Sequence, residues 1–409
     1  MLDLIITNIG SLVTPEGKTA RCGKAQGDVK TRTNAAVGVK DGVIAYVGAA
    51  TAAPAAKETI DAGGRLVTPG LVDAHTHLVF GGWRHNELDL KLKGASYLDI
   101  LAAGGGILSS VRSTRAASED ELVERGIGFT KEMLAHGTTT AEAKSGYGLD
   151  TETELKQLRA IRRVSEAQPL DLVATFLGAH ALPQDYKENR EEFIRLVCEE
   201  MLPAVKAEEL AEFCDIFCET GVFTPEETRA VLTAAKEHGF KLKAHIDEID
   251  ALGGAEVAAE LGATSTDHMI ASNDAGIAAL SKAGTVAVLL PATGFYLDKG
   301  YAPARKMIDA DMAVAVASDF NPGSSPSLNL QFAMMLACQK YRLTPEETIT
   351  AATLNAAAAI NRAETVGSIE VGKKADLVIW ETDALSYLFY RFGSNLVHRV
   401  IKAGQIYET

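Results

Sequence analysis

Long apolar runs are missing from this chain of 409 residues. That excludes a membrane-spanning helix, which needs about 20 consecutive apolar residues. Hydrophobic residues still make up 47%, so the apolar content lies in short segments suited to a globular core. The opening Met1-Leu-Asp-Leu-Ile-Ile-Thr-Asn8 lacks a basic stretch and a small-residue cleavage site, so it reads as a strand rather than a secretory leader. Cysteine is scarce: the five at positions 22, 198, 214, 218 and 338 are odd in number and scattered. A disulfide framework is thereby excluded, and a reducing, cytoplasmic compartment is expected. Cys214 and Cys218 have no second Cys/His cluster to complete a zinc site and read as buried thiols. Positive charge is short as well, 40 Lys and Arg against 54 Asp and Glu, a net charge of −14. Nucleic acid and anionic membranes are therefore poor partners, and a small anionic ligand would need a local cationic clamp.

What is present is a rhythm. Short β runs and turns fill the first sixty-odd residues, among them Leu4-Ile-Ile-Thr7, Ala36-Val-Gly-Val39 and Val43-Ile-Ala-Tyr-Val-Gly48, with Lys40-Asp-Gly42 as a hairpin signal. The C-terminal Gly367–Trp380 and Val397–Tyr407 behave likewise. Neither end holds enough residues for a core alone, so 1–66 and 365–409 are expected to pair into one small β-sandwich domain. Between them, over 67–364, eight apolar segments alternate with helical patterns such as Asp120–His136, Glu152–Ala167 and Thr224–Glu237. That alternation predicts an α/β fold, a (β/α)8 TIM-like barrel with insertions.

Nearly every predicted strand ends on a polar residue, and in such a barrel those C-terminal ends form the mouth. His75 and His77, in Leu71-Val-Asp-Ala-His-Thr-His77, are two apart and point the same way. His245 and Asp319 close further strands and complete a three-imidazole, one-carboxylate set suited to a single zinc or iron ion, divalent or trivalent. His268 and Glu248, also at the mouth, are then free for general acid/base work on water. A two-metal centre bridged by a carboxylated lysine would want that lysine at the end of the fourth strand, which reads Phe217-Cys-Glu219 instead; the nearest candidate, Lys144, follows the second. His85, His136, His238 and His398 fit no strand end and read as surface or helix-end residues.

Assembled, these residues resemble the amidohydrolase superfamily, with Thr68–His77 similar to its opening motif and Val366–Val378 to its return into the small domain. Phe80-Gly-Gly-Trp-Arg-His-Asn-Glu87, Ala103-Gly-Gly-Gly-Ile107, Ala143-Lys-Ser-Gly-Tyr-Gly-Leu149, Gly178-Ala-His-Ala-Leu-Pro183 and Asp319-Phe-Asn-Pro-Gly-Ser-Ser-Pro326 resemble, within it, the imidazolonepropionase family. That resemblance implies hydrolysis of 4-imidazolone-5-propanoate to N-formimidoyl-L-glutamate in histidine degradation, by a homodimer. It implies metal ligation by His75, His77, His245 and Asp319. It implies substrate contacts from Arg84, Tyr97, Tyr147, His180 and Glu248, with Asn321, Gly323 and Ser324 at the substrate tail or the product. Asp319, beside the metal, is expected also to shuttle the proton to the departing ring nitrogen. A propionate on the substrate gives the −14 chain a use for Arg84 as a bidentate clamp, with the Tyr147 hydroxyl beside it. Backbone N–H groups of the Asn321-Pro-Gly-Ser324 loop are expected to approach the same anion. The alternatives are a mononuclear enzyme deaminating a heterocyclic base, which has no use for the clamp, and an inactive barrel serving as a binding scaffold.

Overall fold

The computed structural model describes residues 1–94 and 104–407. All eight apolar segments of the middle region are strands, paired in parallel and in chain order: Leu71–Asp73, Thr138–Lys144, Asp171–Ala179, Phe213–Cys218, Lys241–Ile246, Ser265–His268, Val286–Leu289 and Val314–Val316. Helices between them present an apolar stripe to the sheet. In Thr151–Ala167 the buried Leu158, Ile161 and Val164 form it. Glu119–Ala135 and Pro225–Glu237 start on capping boxes, Ser118 with Glu121 and Thr224 with Glu227, which fix where each helix leaves its loop. The seam between the first and last strands closes just above them, where the Asp319 N–H donates to the His75 carbonyl at 3.1 Å and the His77 N–H to the Phe320 carbonyl at 2.8 Å.

The two ends of the chain build two further sheets. One sheet runs Gln405–Tyr407, Val397–Lys402, Leu377–Trp380, Leu66–Pro69, Ser11–Pro15, Val29–Arg32, so N- and C-terminal strands are direct neighbours. The other runs Val43–Ala49, Ala35–Lys40, Leu2–Ile9, Ala56–Asp61. Ile6, Val37 and Val39 of the second sheet pack with Val67, Leu377, Ile379 and Ile401 of the first, as in a sandwich. Residues 67–69, assigned above to the start of the barrel, thus belong to the small sheet, and the chain crosses at Gly70. There the backbone lies so close to the Thr139 side chain that a Cβ would collide with it. No helix among the described residues is long and apolar enough to cross a membrane.

Candidate metal centre and active site

The barrel strands bring His75, His77, His245 and Asp319 to one place, across the closing seam. Two triads of ligand atoms, His75 with His77 and Asp319, and His75 with His245 and His268, each lie within 4.8 Å of one another. His268 is therefore part of the same cluster, a closer neighbour than its place in the sequence implied. Asp319 Oδ1 stands 3.3 Å from His75 Nε2 and 3.8 Å from His77 Nε2. Asp319 and His268 both turn through the left-handed region, at φ +53° and +73°, which non-glycine residues enter at a cost and which recurs at functional sites. Thr293 donates its hydroxyl to Asp319 Oδ2. Asp73 accepts the Ser318 N–H at 3.0 Å and hydroxyl at 2.5 Å, anchoring the residue before the aspartate.

Beneath the cluster lies a fully buried charge network. His75 Nδ1 meets Asp267 Oδ2 at 2.8 Å and His245 Nδ1 meets Asp215 Oδ2 at 3.0 Å. Each carboxylate accepts the Nδ1–H hydrogen bond, which leaves the lone pair on Nε2. Nε2 of both rings is buried without a hydrogen-bond partner. Burial, reinforced by Lys144 and the neighbouring imidazoles, holds His75 well below the usual histidine range, and burial with His180 does the same for His77. Burial also disfavours charge on His245, but Asp215 outweighs it and the balance is upward. Asp319 is pushed up by burial. Orphaned, pre-oriented imidazole lone pairs beside a carboxylate fit a zinc or iron ion.

Lys144 joins the network from below. Its Nζ lies 2.7 Å from Asp215, 2.9 Å from Glu142 and 3.2 Å from Asp267. Burial would lower its pKa, yet these three carboxylates reverse that and keep it an ammonium ion. Its Nζ is thus engaged by carboxylates of the layer below the histidines. Lys243 completes the layer, 2.9 Å from Glu142 and donating to the Ala74 carbonyl at 3.0 Å.

The mouth above holds the remaining candidates. His180 stacks on His77, with ring centroids 4.9 Å apart, and Tyr147 leans on both. His180 Nδ1–H donates to the Gly146 carbonyl at 3.0 Å, and burial drives its pKa down to about 3, so the ring is neutral. The loop carrying Tyr147 is pinned from within. Buried Glu154 accepts the N–H groups of Gly146, Gly148 and Leu149 at 2.8 to 3.0 Å, and Gln157 accepts that of Tyr147 at 3.0 Å. Glu219, at the end of the fourth strand, accepts the N–H groups of Ile249 at 2.8 Å and Asp250 at 3.1 Å. It thereby fixes the loop that places Glu248 4.0 Å from His268 Nδ1. Arg84 reaches the loop after the eighth strand, against Gly323. The free N–H groups expected there are already engaged: Gly323 and Ser324 donate to Asn321 Oδ1 at 2.8 and 2.7 Å, an Asx-type turn that leaves that loop no N–H pair for an anion. Tyr97 lies outside the described residues.

Sequence reasoning missed Asp73, Glu87, Glu142, Glu154, Asp215, Glu219, Lys243 and Asp267. A signal existed for some: Asp73/His75, Glu142/Lys144 and Lys243/His245 each share the inward face of a strand at a spacing of two, and charge on that face of an apolar strand demands a partner.

The amidohydrolase family model matches residues 66–407. An imidazolonepropionase of Bacillus velezensis is 53% identical over 407 residues, covering 99% of this chain and 96% of the relative. Among solved structures, a zinc-bound adenosine deaminase of Xanthomonas campestris superposes with a TM-score of 0.71 at 22% identity, covering 99% of this chain and 92% of that one. A zinc complex of atrazine chlorohydrolase from Arthrobacter aurescens does so at 0.73 and 17%, covering 98% and 94%. At such identities the two structures speak for the fold alone.

Proposed function

This chain belongs to the amidohydrolase family, and within it we propose that it hydrolyses 4-imidazolone-5-propanoate to N-formimidoyl-L-glutamate, a step of histidine breakdown. The observation that carries this reading is the convergence of His75, His77, His245 and Asp319 in a mouth that also holds Arg84. The near full-length likeness to an imidazolonepropionase supports it. One zinc or iron ion held by those four side chains supplies, when bound, the Lewis acidity that makes water a nucleophile near neutral pH.

The chain's own residues do the rest. Glu248 takes the proton of the attacking water, steadied by His268 4.0 Å away. Water adds to the ring carbonyl, the bond from that carbon to the ring nitrogen breaks, Asp319 takes the proton still on the added oxygen and passes it to the departing nitrogen, and the proton held by Glu248 is released to solvent. The carbonyl carbon ends as a carboxylate and the nitrogen as part of the formimidoyl group. His180, with Nδ1 committed to Gly146, keeps Nε2 for the ring. Arg84 holds the propionate, since a lone carboxylate needs a cation in a chain of net charge −14.

Following the ultraviolet loss of the imidazolone with and without chelator tests the assignment. Rapid loss that chelator abolishes is expected. Turnover of cytosine or guanine in its place would make the enzyme a deaminase, and inactivity with metal bound would make it a scaffold. Arg84→Ala should raise KM about 10- to 100-fold, the worth of a charged hydrogen-bonded pair, with a smaller change in kcat. His268→Ala should lower kcat by about a hundredfold at similar KM, and unchanged turnover in that variant would remove His268 from the proton chemistry.

A further inference from the structure

Among the buried carboxylates at the mouth that the reaction as drawn does not use, Glu87 is the one that holds a candidate substrate-binding side chain. Glu87, in the single turn His85–Glu87, is 2% exposed. Its oxygens accept Arg84 Nε at 2.9 Å and Nη2 at 3.0 Å, and Oε1 also accepts the Gly106 N–H at 2.8 Å. The Nε edge of the guanidinium is thereby closed, and only the Nη1/Nη2 side is left to meet a ligand. That side stands against the loop after the last barrel strand, where a Cβ on Gly323 would run into Nη1. Lys91, one turn on, donates to the Gly323 carbonyl at 3.1 Å and lies 3.9 Å from Glu87 Oε2. Two cations around one carboxylate leave this corner positive in an acidic chain, and they lock loop and guanidinium together. An arginine free on its long stem would sample many orientations. Here the fork is held at two points.

We propose that Glu87 is a positioning residue: it fixes Arg84 so that Nη1 and Nη2 face the carboxylate tail of the substrate, with Gly323 bare to leave that face room. This rests on the reading that Arg84 binds the propionate. Glu87 touches no substrate, and its own charge would repel one. Its effect therefore passes wholly through the guanidinium, which separates it from an ordinary ion pair that only supports a turn.

The test compares two substrates, 4-imidazolone-5-propanoate and the same ring with an uncharged propionamide tail. In Glu87→Gln, which keeps the size of the side chain, KM for the propionate should rise about 10- to 100-fold, the scale of a misplaced binding group. The kcat should stay within about threefold, and kcat/KM for the amide should change by less than about threefold. Glu87→Asp, which retains the carboxylate, should recover part of the loss and serves as the readout if the glutamine variant folds poorly. Equal losses on both substrates, or no change on either, would overturn the proposal. Arg84→Ala run in parallel isolates the premise: an unchanged KM for the propionate there would remove Arg84 from binding, and the positioning role with it.

Discussion

Asp319→Asn should lower kcat/KM for the imidazolone by about a thousandfold or more, equivalent to about 4 kcal/mol of transition-state stabilisation. The substitution is chosen for the backbone: at φ +53° asparagine is tolerated where alanine is strained, so fold and loop should survive. What disappears is the only carboxylate in the triad with His75 and His77, together with the group assigned to carry the proton to the leaving nitrogen. Neutral asparagine is a poor ligand beside two imidazoles whose own pKa values burial has already driven down. Metal content after dialysis should therefore fall with activity, while the melting temperature of the metal-free protein stays within a few degrees of wild type. A variant that retained both metal and turnover would show that Asp319 neither holds the ion nor moves the proton.

The barrel was legible because its strands are apolar and stop on polar residues. Val72-Asp-Ala-His75 and Leu242-Lys-Ala-His245 announce both a buried strand and what stands at its end. The ligand histidines follow from the same pattern, since parallel strands of one barrel deliver their C-terminal ends to one mouth whatever their separation in sequence. The partners under them did not follow. Asp215 belongs to a different strand from His245, and Asp267 to the far side of the seam from His75. Only the pairing register, Ala244 opposite Thr266 and His245 opposite Asp267, brings such layers level. Lys144 could be seen to be unusual in a strand, but not that three carboxylates from three strands would surround it. The turn at Asn321 was hidden for a local reason: an asparagine two residues ahead of a glycine folds its side chain back and accepts the Gly323 and Ser324 N–H groups.

Lys144→Met should be the most damaging single change outside the metal ligands. Methionine fills similar volume, so packing is spared, but Glu142, Asp215 and Asp267 remain buried with one lysine, Lys243, beside Glu142 and only the imidazoles of His245 and His75 beside the aspartates. Breaking a buried ion pair from one side costs about 3–5 kcal/mol, a drop in melting temperature on the order of 6–10 °C for a domain this large. The second effect is on the site: Asp215 and Asp267 orient His245 and His75, and loosened outer partners weaken metal binding about 10- to 100-fold. Chelator competition and calorimetry on the same preparations separate the two. Adding Glu142→Gln to the lysine variant lowers the buried excess of negative charge by one, keeps an amide oxygen to accept from Lys243, and leaves the aspartates that hold the histidines in place. The double variant should then regain part of the stability without regaining metal affinity, because it is Asp215 and Asp267, not Glu142, that meet the Nδ1 atoms of His245 and His75, and both still lack their shared anchor. Recovery of both together would mean that Lys144 serves the core alone, and that the imidazoles keep their aim without it.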